Sequence, residues 1–73
     1  MSYVVYNPIL GAKHEIDGAT RNLFVAAALK AEKQIQDNPS VVELVMYNPA
    51  VRAYQELPRG TVSDLINEAK KIA

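Results

Sequence analysis

Hydrophobic and polar positions divide the chain into two similar successions of elements. Ser2 to Tyr6 is β-branched and aromatic, which predicts a short strand. Asn7-Pro8 breaks it, because proline fixes φ and favours a turn. Ala12 to Ile16 alternates apolar and charged residues, the period-two mark of a half-buried strand, and Asp17-Gly18 ends it. From Thr20 to about Gln36 the chain is rich in Ala, Leu, Lys, Glu and Gln, a helix stopped by Asp37-Asn38-Pro39. The same order then returns. Val41 to Tyr47 reads as a strand, Asn48-Pro49 as a break, Val51 to Leu57 as a strand and Pro58-Arg59-Gly60 as a turn. Thr61 opens a second helix with Asp64 three residues on, an approximate capping box. Val62, Leu65, Ile66, Ala69 and Ile72 give that helix one apolar stripe.

Laid together at an offset of forty-one residues, the halves match well beyond their opening words. Tyr6-Asn7-Pro8 meets Tyr47-Asn48-Pro49, Ala12 meets Ala53 and Glu15 meets Glu56. Through the helices, Thr20 meets Thr61, Phe24 meets Leu65, Val25 meets Ile66, Ala28 meets Ala69 and Lys30 meets Lys71. A short recognition word would not require helix faces to agree, whereas a duplicated β-β-α unit would. The expected fold is α+β, a single domain over residues 1–73 built from tandem duplicated units, 2–38 and 43–73. These would form one four-stranded, mainly antiparallel sheet with two helices on one face. Asn7 and Asn48 are read as turn residues bonding nearby backbone.

Strand parity then assigns the sheet faces. Tyr3, Val5, Val42, Leu44 and Met46 point inward, as do Ala12, Ile16, Ala53 and Leu57, with His14 and Gln55 between them. Val4, Tyr6, Lys13, Glu15, Val41, Glu43, Val45, Tyr47, Arg52, Tyr54 and Glu56 point outward. In the first helix, Phe24, Ala27, Ala28, Ala31 and Ile35 form the face that covers the sheet. Val25 and Leu29 lie off that face and call for another partner, either the second helix or a second chain.

Composition narrows the function. The 73 residues contain no cysteine and one histidine, His14, which closes off disulfides and leaves no donor set for a structural zinc. A chain this short buries only about 60% of its unfolded surface, so self-association is an attractive source of further stability. Eight basic and eight acidic side chains balance, which disfavours a nucleic-acid binder or a polybasic membrane anchor. No apolar run approaches the roughly 20 residues of a membrane span, and the N-terminus lacks the pattern of a secretory signal. Asn38-Pro39-Ser40 is spoiled as a glycosylation site by its proline. A cytoplasmic protein without membrane association is the expectation.

Catalytic chemistry finds little support. His14 and Glu15 are adjacent on a strand, so their side chains diverge, and His14 is read as a half-buried, hydrogen-bonded sheet residue. Glu15 and Asp17 are like charges on one strand face, far from a glycosidase pair. Arg59-Gly60-Thr61 at a helix start resembles an anion site. The first copy has Gly18-Ala19-Thr20 there, however, so capping is the preferred role. No metal or cofactor is implied, and the chain is not expected to be an enzyme. The leading expectation is a small protein–protein interaction module, an adaptor, inhibitor or regulator of a larger protein, that associates with itself as a dimer. Tyr6, Tyr47, Tyr54, Arg52 and Lys13 on the outer sheet face are the candidate partner-binding residues, because Tyr and Arg are enriched in binding hot spots. Val25 and Leu29 are the candidate partner or dimer residues of the helix. One alternative is single-stranded nucleic-acid binding, with the three tyrosines as stacking platforms beside Lys13 and Arg52. The other is a small-ligand pocket between sheet and helices around His14 and Gln55.

Overall fold

A computed structural model describes every residue from Met1 to Ala73. The element order is β1 (Ser2–Asn7), β2 (Ala12–Asp17), α1 (Gly18–Asp37), β3 (Glu43–Asn48), β4 (Ala53–Pro58) and α2 (Arg59–Lys71). Each element of the second half begins forty-one residues after its counterpart in the first. The pairing repeats as well: Tyr6 faces Lys13 across hairpin β1–β2, and Tyr47 faces Tyr54 across hairpin β3–β4.

The single four-stranded sheet expected from the pattern is not formed. The strands make two separate antiparallel sheets of two strands each. The reason lies at the strand edges. The edge of β1 away from β2 meets α2, where the Tyr6 N–H donates to Glu68 Oε1 at 2.8 Å. β3 in turn packs against α1. With α2 at the edge of β1, no ladder joins β1 to β3. A two-stranded hairpin is marginal in water by itself, so each depends on apolar contact with the helices. Val5 and Ile16 from the first hairpin, and Leu44 and Met46 from the second, share one buried cluster with Phe24, Ala28 and Ala31 of α1 and Val62, Leu65, Ile66 and Ala69 of α2.

The helix stripes therefore fall where the pattern puts them, but several individual positions differ. Val25 is half-buried against the core, so it is not free for a partner. Val42, expected inside, is 76% exposed, because it lies in the connection before β3 and beyond the cover of the helices. Ala12 and Ala53 are exposed too. They sit across from Asn7 and Asn48, whose side chains take the interior at that level.

Helix starts also differ from expectation. Asp17, not Thr20, caps α1, its Oδ1 accepting the Thr20 N–H at 2.8 Å. α2 begins at Arg59, and Pro58 stands at its N-cap position with no side-chain bond, so Thr61 has no capping role. The Arg59 N–H instead donates to the Val42 carbonyl at 2.9 Å and carries the β3–β4 ladder into the helix start.

The two corners behave as turns and as something more. Asn7 Oδ1 accepts the N–H groups of Ile9 and Leu10, at 2.9 and 3.3 Å, and Asn48 Oδ1 accepts that of Ala50 at 3.0 Å. In addition, Asn7 Nδ2 donates to Asn48 Oδ1 at 2.9 Å, and Asn48 Nδ2 donates to Gln55 Oε1 at 2.9 Å. Both asparagines are buried. This chain of amides is the direct polar link between the hairpins. A buried donor or acceptor left without its partner costs about 1–3 kcal/mol. Asn7→Ala and Asn48→Ala are each expected to destabilise by about that much, with a non-additive coupling of about 1 kcal/mol in the double variant. Urea unfolding of the four proteins measures it; simple additivity would show that the amides do not act as a pair.

Candidate functional site

Two surface clefts occupy matching places in the two halves. One lies between α1 and the second hairpin. It is lined by Ala26, Ala27, Lys30, Gln34, Val45 and Tyr54 and measures about 280 Å³. The other lies between α2 and the first hairpin, is lined by Tyr6, Asp64, Asn67, Glu68 and Lys71, and measures about 300 Å³. Asn67, Glu68 and Lys71 of the second cleft stand forty-one residues after Ala26, Ala27 and Lys30 of the first. The scaffold is shared and the linings are not.

In the α2 cleft a carboxylate fills the centre. Glu68 Oε1 accepts the Tyr6 N–H at 2.8 Å, and Glu68 Oε2 accepts from Lys71 Nζ at 2.7 Å. The Lys71 ammonium first, and the Tyr6 N–H second, hold the Glu68 carboxyl below its ordinary value of 4.5. In the α1 cleft the apolar side chains of Ala26, Ala27, Val45 and Tyr54 replace this polar arrangement, and Lys30 forms no ion pair.

The candidate residues are distributed over these features as follows. Tyr54 is 59% exposed and forms a wall of the α1 cleft. Its ring packs edge-on against Tyr47 at 5.1 Å. Tyr47 is consequently only 4% exposed and does not lie on an open face, which corrects the outward placement that strand parity gives it. Tyr6 is exposed but belongs to the α2 cleft. Lys13, its cross-strand neighbour, is exposed. Leu29 is 57% exposed on α1, one turn from Ala26 and next to Lys30. Of the sheet-face and helix candidates, only Tyr54 lines the α1 cleft, where it and Val45 face the helix. Ala26, Lys30 and Gln34 are not among the candidates, since nothing in the local pattern separates them from an ordinary helix flank, and Ala27 is assigned to the face that covers the sheet.

Arg52 stands at the tip of the second hairpin with φ 53°, in the left-handed region that favours glycine. The matching position in the first hairpin is Gly11, with φ 70°. The first hairpin thus meets the geometry without strain, and the second holds a non-glycine residue there with its side chain exposed. The Arg52 charge reaches Asp17, whose carboxyl is held below its ordinary value of 3.8 mainly by hydrogen bonds from Thr20 and secondarily by Arg52.

His14 is half-buried, and its Nε2 has no hydrogen-bond partner, unlike the bonded role expected of it. Neither His14 nor Gln55 lines any of the four clefts. No group of three or more His, Cys, Asp or Glu side chains is placed to hold a metal ion, and no helix is long and apolar enough to cross a membrane. Comparison with protein-family profiles, curated proteins and solved structures finds no match.

Two outcomes are expected from this geometry. Arg52→Gly relieves left-handed strain and loses some unfolded-state restriction, for a net gain of about 0.5–1 kcal/mol in urea unfolding. No gain would show that the turn relaxes around arginine at no cost. Glu68 and Asp17 bind protons more weakly in the folded chain than in the unfolded one, so their stabilisation is present above the ordinary values of 4.5 and 3.8. It is lost as the pH falls through the lower folded values. The thermal midpoint should therefore hold steady near neutrality and drop below about pH 4.5, with a shallower drop in Glu68→Gln. Melting curves across the acid range read both.

Proposed function

We propose that this chain is a small protein-binding module whose docking face is the α1 cleft and its apolar rim. The observation that carries the reading is the convergence of apolar groups from two elements, Val45 and Tyr54 from the second hairpin and Ala26 and Ala27 from α1, with the exposed Leu29 one turn along the helix from Ala26. Apolar surface shared between elements and left open to water marks interaction sites more often than scattered single residues do. A half-exposed tyrosine whose ring is braced by an edge-to-face contact with a second tyrosine is a rigid anchor of the kind found at hot spots. Lys30, which forms no ion pair, supplies a polar group in the wall of this apolar cleft. A second copy of the chain is one partner such a face can take, and molar mass in solution reads that case directly.

The nucleic-acid alternative draws no support from the arrangement of the tyrosines. Tyr47 is buried, and Tyr6 and Tyr54 belong to different clefts, so the three do not offer successive stacking platforms. The ligand pocket around His14 and Gln55 draws none either, since Gln55 is engaged by Asn48.

The test is comparative capture with wild type, Tyr54→Ala, Leu29→Ser and a control, Tyr6→Ala, on the other hairpin. Loss of a hot-spot tyrosine weakens binding by about 2 kcal/mol, roughly thirtyfold. A partner retained by wild type and Tyr6→Ala but lost by the other two supports the α1 face. Equal retention by all four proteins would remove it.

A further inference from the structure

We propose that the free edge of β2 pairs with the same edge of a second copy of the chain, joining two hairpins into one four-stranded antiparallel sheet. The direction of the edge follows from the Tyr6 N–H, which leaves β1 on the side away from β2 to reach Glu68. Tyr6 and Lys13 are therefore a pair that exchanges no ladder bonds, and Val4 and Glu15, two positions on, are another. The N–H and C=O groups of Lys13 and Glu15 accordingly point away from β1. Both residues are exposed, and no side chain accepts either N–H. Neither side chain belongs to an ion pair. β2 touches only β1 and α1, and α1 packs chiefly against α2 and β3, which leaves the far side of β2 open.

The charges along this edge select its occupant. Two β2 strands pair about a two-fold axis through His14 when Lys13 of each copy stands opposite Glu15 of the other. Both residues have outward backbone groups, so each such pair exchanges two ladder bonds. Each pair also sets opposite charges directly across the strands. The neighbouring registers, displaced by two residues, put Lys13 opposite Lys13 or Glu15 opposite Glu15, with like charges on the axis. A lysine on an edge ordinarily deters pairing; with a glutamate two positions on, the edge complements itself in one register. The β4 edge lacks this property. There the Arg59 N–H bonds to the Val42 carbonyl, so the outward residues are Tyr54, Glu56 and Pro58. Tyr54 in the place of Lys13 offers Glu56 no opposite charge, and Pro58 has no N–H to give. A lone two-stranded hairpin is marginal in water. Strand addition extends the first hairpin with backbone groups that otherwise bond water. One strand edge makes a small interface, so the dimer is concentration-dependent.

The experiment measures molar mass in solution from micromolar to millimolar chain concentration, at mildly alkaline pH, where imidazole is uncharged. Wild type should pass from monomer to dimer across that range. Lys13→Glu and Glu15→Lys each set like charges across both pairs, and each should weaken dimerisation about tenfold. Mixed in equal amounts, the two folded variants should recover the dimer, because every reversed charge then meets its opposite in the other chain. Amide exchange of wild type needs no variant. The Lys13 and Glu15 amides should exchange more slowly as concentration rises, while those of Tyr54 and Glu56 on the β4 edge stay fast. A monomer throughout, a dimer indifferent to both reversals, no recovery on mixing, or protection of the β4 amides instead overturns the pairing. Tyr54→Ala and Leu29→Ser separate it from the docking face proposed above. Both should leave the dimer intact, and its loss in either would place the second copy on the α1 face and overturn the β2 edge.

Discussion

The buried bond between Asn7 and Asn48 decides how the rest of the molecule is put together. The edge of β1 is taken by a helix, and no backbone ladder holds one hairpin against the other. Apolar packing brings the pieces together, but it is tolerant of sliding and rotation in a way that directional bonds are not. The two amides supply direction. Each also serves its own turn, so the same side chains that shape the corners hold the corners together. A slip of either hairpin would leave buried amides unpaired, and that penalty selects a single arrangement. The positions of the two clefts follow from it, because they form where each hairpin lies beside the helix of the other half.

Much of this was legible in the sequence, within a physical limit. Strand and helix spans follow from local periodicity, and the observed elements lie within about two residues of those expected. The buried stripe of α2 and the covering face of α1 were likewise readable. Edges were not. Alternation tells which way a side chain points, but it says nothing about which strand, or which helix, lies along the unpaired side. One sheet of four strands and two sheets of two have the same pattern. The asparagines illustrate the same limit: their bonds to the next residues are local and expected, while the bond across forty-one positions depends on the tertiary arrangement. Tyr47 was misplaced for a related reason, since parity put it on the outer face and Tyr54 then closed over it.

The asymmetry between the clefts was present in the sequence in a different sense. Lys30 and Lys71 match at the offset, and beside them Ala27 stands against Glu68. That difference has no evident meaning until α2 is known to lie along β1, since only then does Glu68 face the Tyr6 N–H. Arg52 against Gly11 is a similar case. As letters they are two divergent turn residues; as backbone they share a left-handed conformation that only one of them adopts without cost.

Two halves with one scaffold have thus been finished differently, and the difference has an energetic sense. In the α2 cleft the chain satisfies its own edge N–H with its own carboxylate, which adds to folding and leaves the site occupied. In the α1 cleft an alanine stands where that carboxylate is, the equivalent lysine forms no ion pair, and Val45 and Tyr54 are left in water. Sequences generally make local choices that agree with stability, and departures from that agreement concentrate where a protein meets something else. The proposed docking face accordingly lies on the half in which these groups are left without partners inside the fold.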